Sequence, residues 1–435
     1  MIKKIGKITV VFILNALARA ILFKYKPRIV AITGGVGKTS TKDAVYAVFS
    51  EFYYAGRSIK SYNSEIGLPL AIIGGTSGWG SPLAWLRTIF DGLTLIVFKT
   101  HYPKWLILEV GVDRPRDMER AVRLLKSDIV IITKLPDTPP HVEFFKSAEE
   151  LHDEKWKLVK SLKQGGTLVV NSDDANIARR LSETGGRKVI TYGFNEDAMV
   201  RASNDHVMYE KRDGGKFPDG VTFKVDNAGG SVPVMLYGTL GRGQVLSALS
   251  ALSAGTALDL NIVKMAEALA EYESPPGRLK LLRGINNSLI IDDTYNASPE
   301  AAQLALGILY GLECSGKKIV VLGDMLELGK ETIPAHEKVG EHVPANVSTL
   351  YLVGQRAKHI ATGVSKKGIT KDKIKFYEKA EQGVKHLVKK IGTGDIILVK
   401  GSQGIRLEKL VAEIIVDKDK KEKLLVRQGL EWMNR

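Results

Sequence analysis

The sequence predicts an α/β protein made of two successive parallel-sheet domains. Three observations carry this. Ile29, Val30, Ala31 and Ile32 form a short apolar run suited to a buried strand, and it breaks directly into Gly34-Gly35-Val36-Gly37-Lys38-Thr39. Behind that turn, Ser40 to Ser50 sets Ala44, Val45, Ala47, Val48 and Phe49 at spacings that suit one helical face. The same sequence of apolar strand, glycine or polar turn and helix returns through residues 105–171 and again through 289–402.

Glycines at the entry to a helix place backbone N–H groups where they can cradle phosphate oxygens. Gly34, Gly35 and Gly37 would form that cradle with Ser40 behind it, Lys38 would reach the terminal phosphates, and Thr39 would offer its hydroxyl to Mg²⁺. Residue 32 is Ile where the long form of the motif has glycine, so the match is to a shorter variant. Lys-Thr after the last glycine favours nucleotide binding, here ATP, over a merely structural turn, and a central P-loop-type ATPase domain is expected over residues 28–274. The linker Ser274-Pro275-Pro276-Gly277-Arg278 separates it from a C-terminal Rossmann-like α/β domain at 275–435.

At 435 residues the chain has room for two or three domains, and 44% apolar with 26% charged residues describes an ordinary soluble protein. The net charge of +15, from 63 basic and 48 acidic residues, admits nucleic acid, an anionic membrane or acidic substrates as partners. Basic residues are spread along the chain with clusters at both ends, and no zinc-finger or RNA-binding signature accompanies them. Nucleic acid is therefore the least favoured partner. Cys314 is the only cysteine, which excludes an internal disulfide and fits a reducing cytoplasm.

Residues 1–27 read differently from the rest. Lys3, Lys4 and Lys7 precede a mostly apolar run from Ile8 to Phe23. That run spans about 24 Å as a helix, short of the roughly 30 Å hydrocarbon core, and Arg19 would be costly inside it. A helix lying in the membrane interface is the expectation, against a helix packed on the protein's own core or a signal segment ending near Ala16-Leu17-Ala18. A second apolar stretch, Pro82 to Phe98, has Trp79, Trp85, Tyr102 and Trp105 around it; a buried helix and an interfacial one both suit it. A monomer is expected.

Further along, Trp105-Leu106-Ile107-Leu108-Glu109 is a strand ending in a carboxylate, either a surface Glu or a Mg²⁺ ligand at a strand's carboxyl end. The strand at Asp128 to Thr133 leads into Pro139-Pro140-His141, where the prolines force an extended loop. Ser147 to Glu150 has the pattern of a capping box, opening a helix that carries Lys155, and Asp173-Asp174 follow the next strand. Residues 196–238 suggest a small antiparallel patch, with turns at 213–215, 218–220 and 227–230.

The order TGGVGKTSTK, NSEIGLPL, LEVG, PPHVEFF, a lysine-bearing helix and NSDD resembles the Mur ligase family, ATP-dependent enzymes that join an amino acid or dipeptide to a growing peptide through an acyl phosphate. The resemblance implies that Lys38 binds the ATP phosphates, that Thr39 and Glu109 hold one Mg²⁺, and that His141 helps ligate a second. Lys155 matches the lysine that the family carbamylates. Asn63, in NSEIGLPL, is implied at the substrate. Gln244 stands where the family has an adenine-contacting Asn, preceded by Gly243 instead of His.

In the second half, DDTYNASP, LGDMLELG, His336 and VKGSQGIRLE resemble most the branch of the family that adds D-alanyl-D-alanine to a UDP-linked muramoyl tripeptide, a cell-wall precursor. By that resemblance Arg278, Asp293, Tyr295 and Asn296 contact the nucleotide or close the interdomain cleft, and Lys400 and Ser402 lie near the incoming dipeptide. This branch has an N-terminal domain for the UDP end, and only 27 residues precede the first strand here, which leaves the acceptor open. Rival expectations are a related amide ligase of folylpolyglutamate or cyanophycin type, an inactive membrane-attached relative, and a P-loop switch or motor.

Overall fold

The computed structural model describes residues 2–58, 65–75, 81–137, 144–227, 230–366, 370–429 and 432. Asn63, Trp79, His141 and the centre of the 227–230 turn lie outside them. The chain forms two compact units, one of residues 1–205, 223–235 and 243–272, the other of 206–222, 236–242 and 273–435.

A 24-residue helix, α1 (Ile2–Tyr25), leads into β1 (Arg28–Thr33) and α2 (Lys38–Phe52). After β2 (Ala55–Arg57) come α3 (Gly67–Ile73), α4 (Pro82–Val97) and β3 (Trp105–Glu109). Then follow α5 (Asp117–Leu124), β4 (Ser127–Ile132), α6 (Ala148–Trp156), β5 (Leu162–Asn171) and β6 (Lys188–Gly193). Three strands, β7 (Val200–Arg212), β8 (Gly215–Asn227) and β9 (Gly230–Tyr237), complete a nine-stranded sheet of order β2-β3-β1-β4-β5-β6-β7-β8-β9. β1, β3 and β4 are parallel and buried almost throughout, as strands covered on both faces by helices must be. The chain leaves β1 toward β2 on one side and returns through β4 on the other. In open α/β sheets such a reversal is where ligands bind, at the carboxyl ends of the strands, here β1, β3 and β4.

One face of α1 is core: Leu14, Leu17, Ala18 and Ile21 are buried with α3 residues such as Leu68 and Leu70. A side chain at Gly92 of α4 would press on Leu17, so glycine there lets the two helices approach. Lys24 donates to the carbonyls of Leu95 and Ile96, each at 2.9 Å, satisfying the end of α4. No helix among the described residues is long and apolar enough to cross a membrane.

The second unit holds β10 (Lys280–Gly284), β11 (Ser288–Asp293), β12 (Lys318–Gly323), β13 (Val347–Val353), β14 (Ile374–Tyr377) and β15 (Ile396–Lys400). Their order is β10-β11-β15-β12-β13-β14, parallel except for β10 against β11. This is the Rossmann-like alternation expected. One turn is not where the sequence put it. Pro218-Asp219-Gly220 runs inside β8, because the Leu236 carbonyl lies where a side chain of Gly220 would stand and the Gly238 N–H bonds the Asp219 carbonyl at 2.8 Å. The glycine serves close strand approach, not a turn.

Candidate active site

The glycine turn is built against the exit of β4. Gly34 has φ +150°, and a Cβ on it would be driven into Thr133 Oγ1; one on Gly35 would lie 2.5 Å from Pro136 Cδ. Thr133 Oγ1 donates to the Val36 carbonyl at 2.6 Å, and the Gly35 N–H bonds Lys134 O at 2.6 Å. Gly37, at φ +85°, caps α2 in the left-handed region that glycine enters without strain. Only glycines fit this route from strand to helix. Gly34→Ala is accordingly expected to cost about 1–3 kcal/mol of stability, read as a lower denaturation midpoint without nucleotide.

Lys38 and Thr39 open α2, with Ser40 buried behind them. Lys38 Nζ donates to the Gly34 carbonyl at 2.9 Å, so the ammonium lies across the turn it is expected to serve. Thr39 Oγ1 donates to Glu109 Oε2 at 3.0 Å, and both residues are buried. Glu109 ends β3 in register with Ile32, one residue before β1 ends. Strand pairing thus brings a hydroxyl and a carboxylate together across 70 residues of sequence, at the strand ends where the turn begins.

Lys155 sits near the end of α6. Ser147 caps that helix by accepting the Glu150 N–H at 3.2 Å, while Glu150 Oε2 accepts the Lys146 N–H at 2.7 Å. His152 Nε2 donates to the Pro136 carbonyl at 3.0 Å, tying α6 to the loop behind the glycine turn. Only 3% of Lys155 is exposed. Burial first and then the Lys38 charge push its ammonium down, Asp113 opposes both, and the balance stands at about 7. Motif reading passed over Asp113, the carboxylate whose charge acts on Lys155. Its signal was present, a carboxylate four residues after Glu109 on the same strand-end loop.

The NSDD stretch is structural. Asp174 accepts the Leu135 N–H at 2.7 Å and caps the helix at Ala175–Ala178, while Asp173 accepts the N–H groups of Phe194 and Asn195. Gln244, in the helix Arg242–Thr256, is buried with its Oε1 3.2 Å from the Tyr272 hydroxyl, which lies 3.4 Å from the Ser40 carbonyl. This unit therefore gathers Gly34, Gly35, Gly37, Lys38, Thr39, Ser40, Glu109 and Lys155 along its strand ends, with Gln244 linked to Ser40 through Tyr272.

The remaining candidates belong to the second unit. Asp293 and Lys400 end paired strands in register, and Lys400 Nζ lies 2.6 Å from Asp293 Oδ2 and 3.0 Å from the Asn296 carbonyl. Both side chains are largely buried, and Lys400 holds the 293–296 loop. Arg278 stacks on the Tyr295 ring at 4.1 Å, and Arg427 donates to the Thr294 and Tyr295 carbonyls. Ser402 Oγ accepts the Leu326 N–H at 2.9 Å and donates to the Ala297 carbonyl at 3.3 Å. His336 Nε2 accepts the Met325 N–H at 3.0 Å, fixing the loop that LGDMLELG encodes.

A parallel sheet with a glycine turn, a lysine, and a hydroxyl–carboxylate pair at its strand ends, followed by a Rossmann-like unit, defines an ATP-dependent ligase. The chain belongs to the Mur ligase family: residues 91–255 match the Mur ligase middle domain and 277–403 the Mur ligase glutamate ligase domain. It is 27% identical over 403 residues to the UDP-N-acetylmuramoyl-tripeptide–D-alanyl-D-alanine ligase of Bacillus subtilis (strain 168), covering 92% of this chain and 79% of that protein. The enzyme of the same name from Escherichia coli (strain K12) is 27% identical over 395 residues, covering 88% and 76%. The MurF ligase of Thermotoga maritima, solved with ADP, superposes with a TM-score of 0.72 at 25% identity, covering 95% of this chain and 84% of that one.

Proposed function

We propose that this chain activates a peptide carboxylate with ATP and joins it to D-alanyl-D-alanine, or a similar dipeptide, on a muramoyl-peptide precursor of the cell wall. The observation that carries this reading is the buried Thr39–Glu109 pair beside Lys38 and the glycine turn, in a chain with both Mur ligase domains. The reaction would run in the cytoplasm, where ATP is available, with the chain as a monomer.

The residues fit Mg²⁺. A hydroxyl and a carboxylate oxygen 3.0 Å apart are the hard donors that ion takes alongside phosphate oxygens and water. Thr39 and Glu109 would hold it, with His141 and a carbamylated Lys155 serving a second ion; bound there, Mg²⁺ supplies charge neutralisation for the transferring phosphoryl group.

Turn N–H groups between Val36 and Thr39 would bind the phosphates, the Gly35 N–H being taken by the Lys134 carbonyl, and Lys38 would exchange its bond to the Gly34 carbonyl for a γ-phosphate oxygen. An oxygen of the acceptor carboxylate attacks the γ-phosphorus, the bond to the bridging oxygen breaks, and ADP leaves. The dipeptide amine then attacks the acyl carbon and loses a proton as inorganic phosphate departs, leaving the amide. Gln244 would contribute to the adenine site. Arg278, Asp293, Tyr295 and Asn296 would bind nucleotide, with Asn63, Lys400 and Ser402 toward the peptide substrates; Lys400 and Ser402 act at least by shaping the loop beside them.

Mass spectrometry of products from ATP, Mg²⁺, UDP-linked or lipid-linked muramoyl tripeptide and a panel of amines tests the reading. Expected is one new amide with D-alanyl-D-alanine and stoichiometric ADP. Glutamate or aspartate as the accepted amine would instead select a folylpolyglutamate or cyanophycin-type ligase.

A further inference from the structure

The structure leaves a large apolar surface on the first unit that the ligase chemistry does not use. Along α4, Leu83, Leu86, Phe90, Leu93 and Val97 recur at alternating steps of three and four, which keeps them on one line of the helix. They are 77%, 61%, 68%, 47% and 70% exposed. On α1, Phe12, Ala16, Arg19 and Phe23 form a second outward line, opposite the buried Leu14, Leu17, Ala18 and Ile21. The two helices pack side by side through Leu17 and Gly92, and Phe98 adds a further exposed ring at the end of α4. Scattered apolar residues on a surface need no explanation, but two ordered lines on adjoining helices mark an interaction surface.

We propose that the outward face of α1 and α4 docks this protein on a membrane surface rich in anionic lipid. Charge selects this occupant. Residues 1–28 and 82–104 contain ten lysines and arginines and one acidic residue, Asp91. Arg19, Lys24, Lys26, Arg87, Lys99 and Lys104 are exposed on these two segments, and Arg28 is exposed but paired with Asp128. A second copy would bring the same positive face to meet this one, and like charges oppose that pairing. Anionic headgroups complement it, while Phe12, Phe23, Phe90 and the leucines enter the boundary beneath them. Neither helix meets the length and apolarity needed to cross, so both lie in the plane of the surface.

The full-length protein is sedimented with phosphatidylcholine vesicles and with vesicles of phosphatidylcholine and phosphatidylglycerol. Binding is expected at least about 10-fold tighter to the anionic vesicles and weakened by salt. Phe90→Asp with Leu93→Asp, both outward and outside the ligase site, should lower binding by about 10-fold or more, and Arg19→Glu with Arg87→Glu should remove the preference for phosphatidylglycerol. Circular dichroism and the thermal midpoint verify that each variant folds. Absence of vesicle binding by the unaltered protein, or equal binding by a folded Phe90→Asp/Leu93→Asp variant, overturns the proposal. Sedimentation velocity adds a third outcome: a dimer lost in that variant, without vesicle binding, makes the face a protein interface instead.

Discussion

Replacing Lys38 with alanine is expected to abolish dipeptide-dependent ADP release, a loss of about 10³-fold or more. The ammonium lies 2.9 Å from the Gly34 carbonyl, across the turn whose N–H groups would hold the phosphates. Without it the charge developing on the γ-phosphoryl oxygens loses its fixed counter-charge, and solvent must reorganise to replace it. Coupled measurement of ADP with and without dipeptide gives the effect; activity within tenfold of the unaltered protein would contradict the assignment. The substitution has a second consequence. Lys38 is one of the causes that lower Lys155, so its removal should let the Lys155 ammonium titrate closer to the ordinary lysine value.

Lys155→Ala is expected to lower turnover by about 10²–10³-fold, with partial rescue by acetate or propionate entering the space left by the side chain. Carbamylation requires an uncharged amine to attack CO₂. At pH 8 an ordinary lysine is only about 0.4% neutral. Lys155, held down to about 7 by burial, is mostly neutral at that pH and mostly protonated below its folded value. Activity of CO₂-depleted protein should therefore return on adding bicarbonate at pH 8 and far less at pH 6, and carbon-13 bicarbonate should yield a carbamate resonance absent from Lys155→Ala. The sign of the linkage follows. While uncarbamylated, this lysine destabilises the fold fully below about 7, and that penalty fades as pH rises toward the unfolded value near 10.4. A denaturation midpoint that falls over this interval would count against the buried, neutral amine.

How much of this was legible in the sequence varies by residue. The strand–turn–helix at 28–42 was, because glycines at fixed offsets between two apolar patterns admit few backbones, and Thr133 and Pro136 enforce that route. The capping of α6 by Ser147 was legible for the same local reason, although Glu150 reaches the Lys146 N–H instead of that of the cap residue. The turn at 218–220 was misread, since proline, aspartate and glycine carry turn chemistry and only the approach of Leu236 shows why they sit in a strand. For α1, the local pattern favoured the membrane interface over the core. The structure buries one face against α3 and α4 and leaves the other outward, a division that needs partners distant in sequence.

By itself, then, the sequence determined the alternation of strands and helices, the glycine route into α2 and the motif order that identifies the family. All of these depend on local backbone preference and short spacings. Tertiary structure alone decided that Thr39 meets Glu109, through the register of β1 with β3, and that Lys155 is desolvated beside Lys38 and Asp113. A hydroxyl becomes half of a buried hydroxyl–carboxylate pair, and a lysine an amine held largely neutral near pH 8, only when long-range packing removes water and fixes neighbours. No one-dimensional pattern encodes that exclusion of solvent.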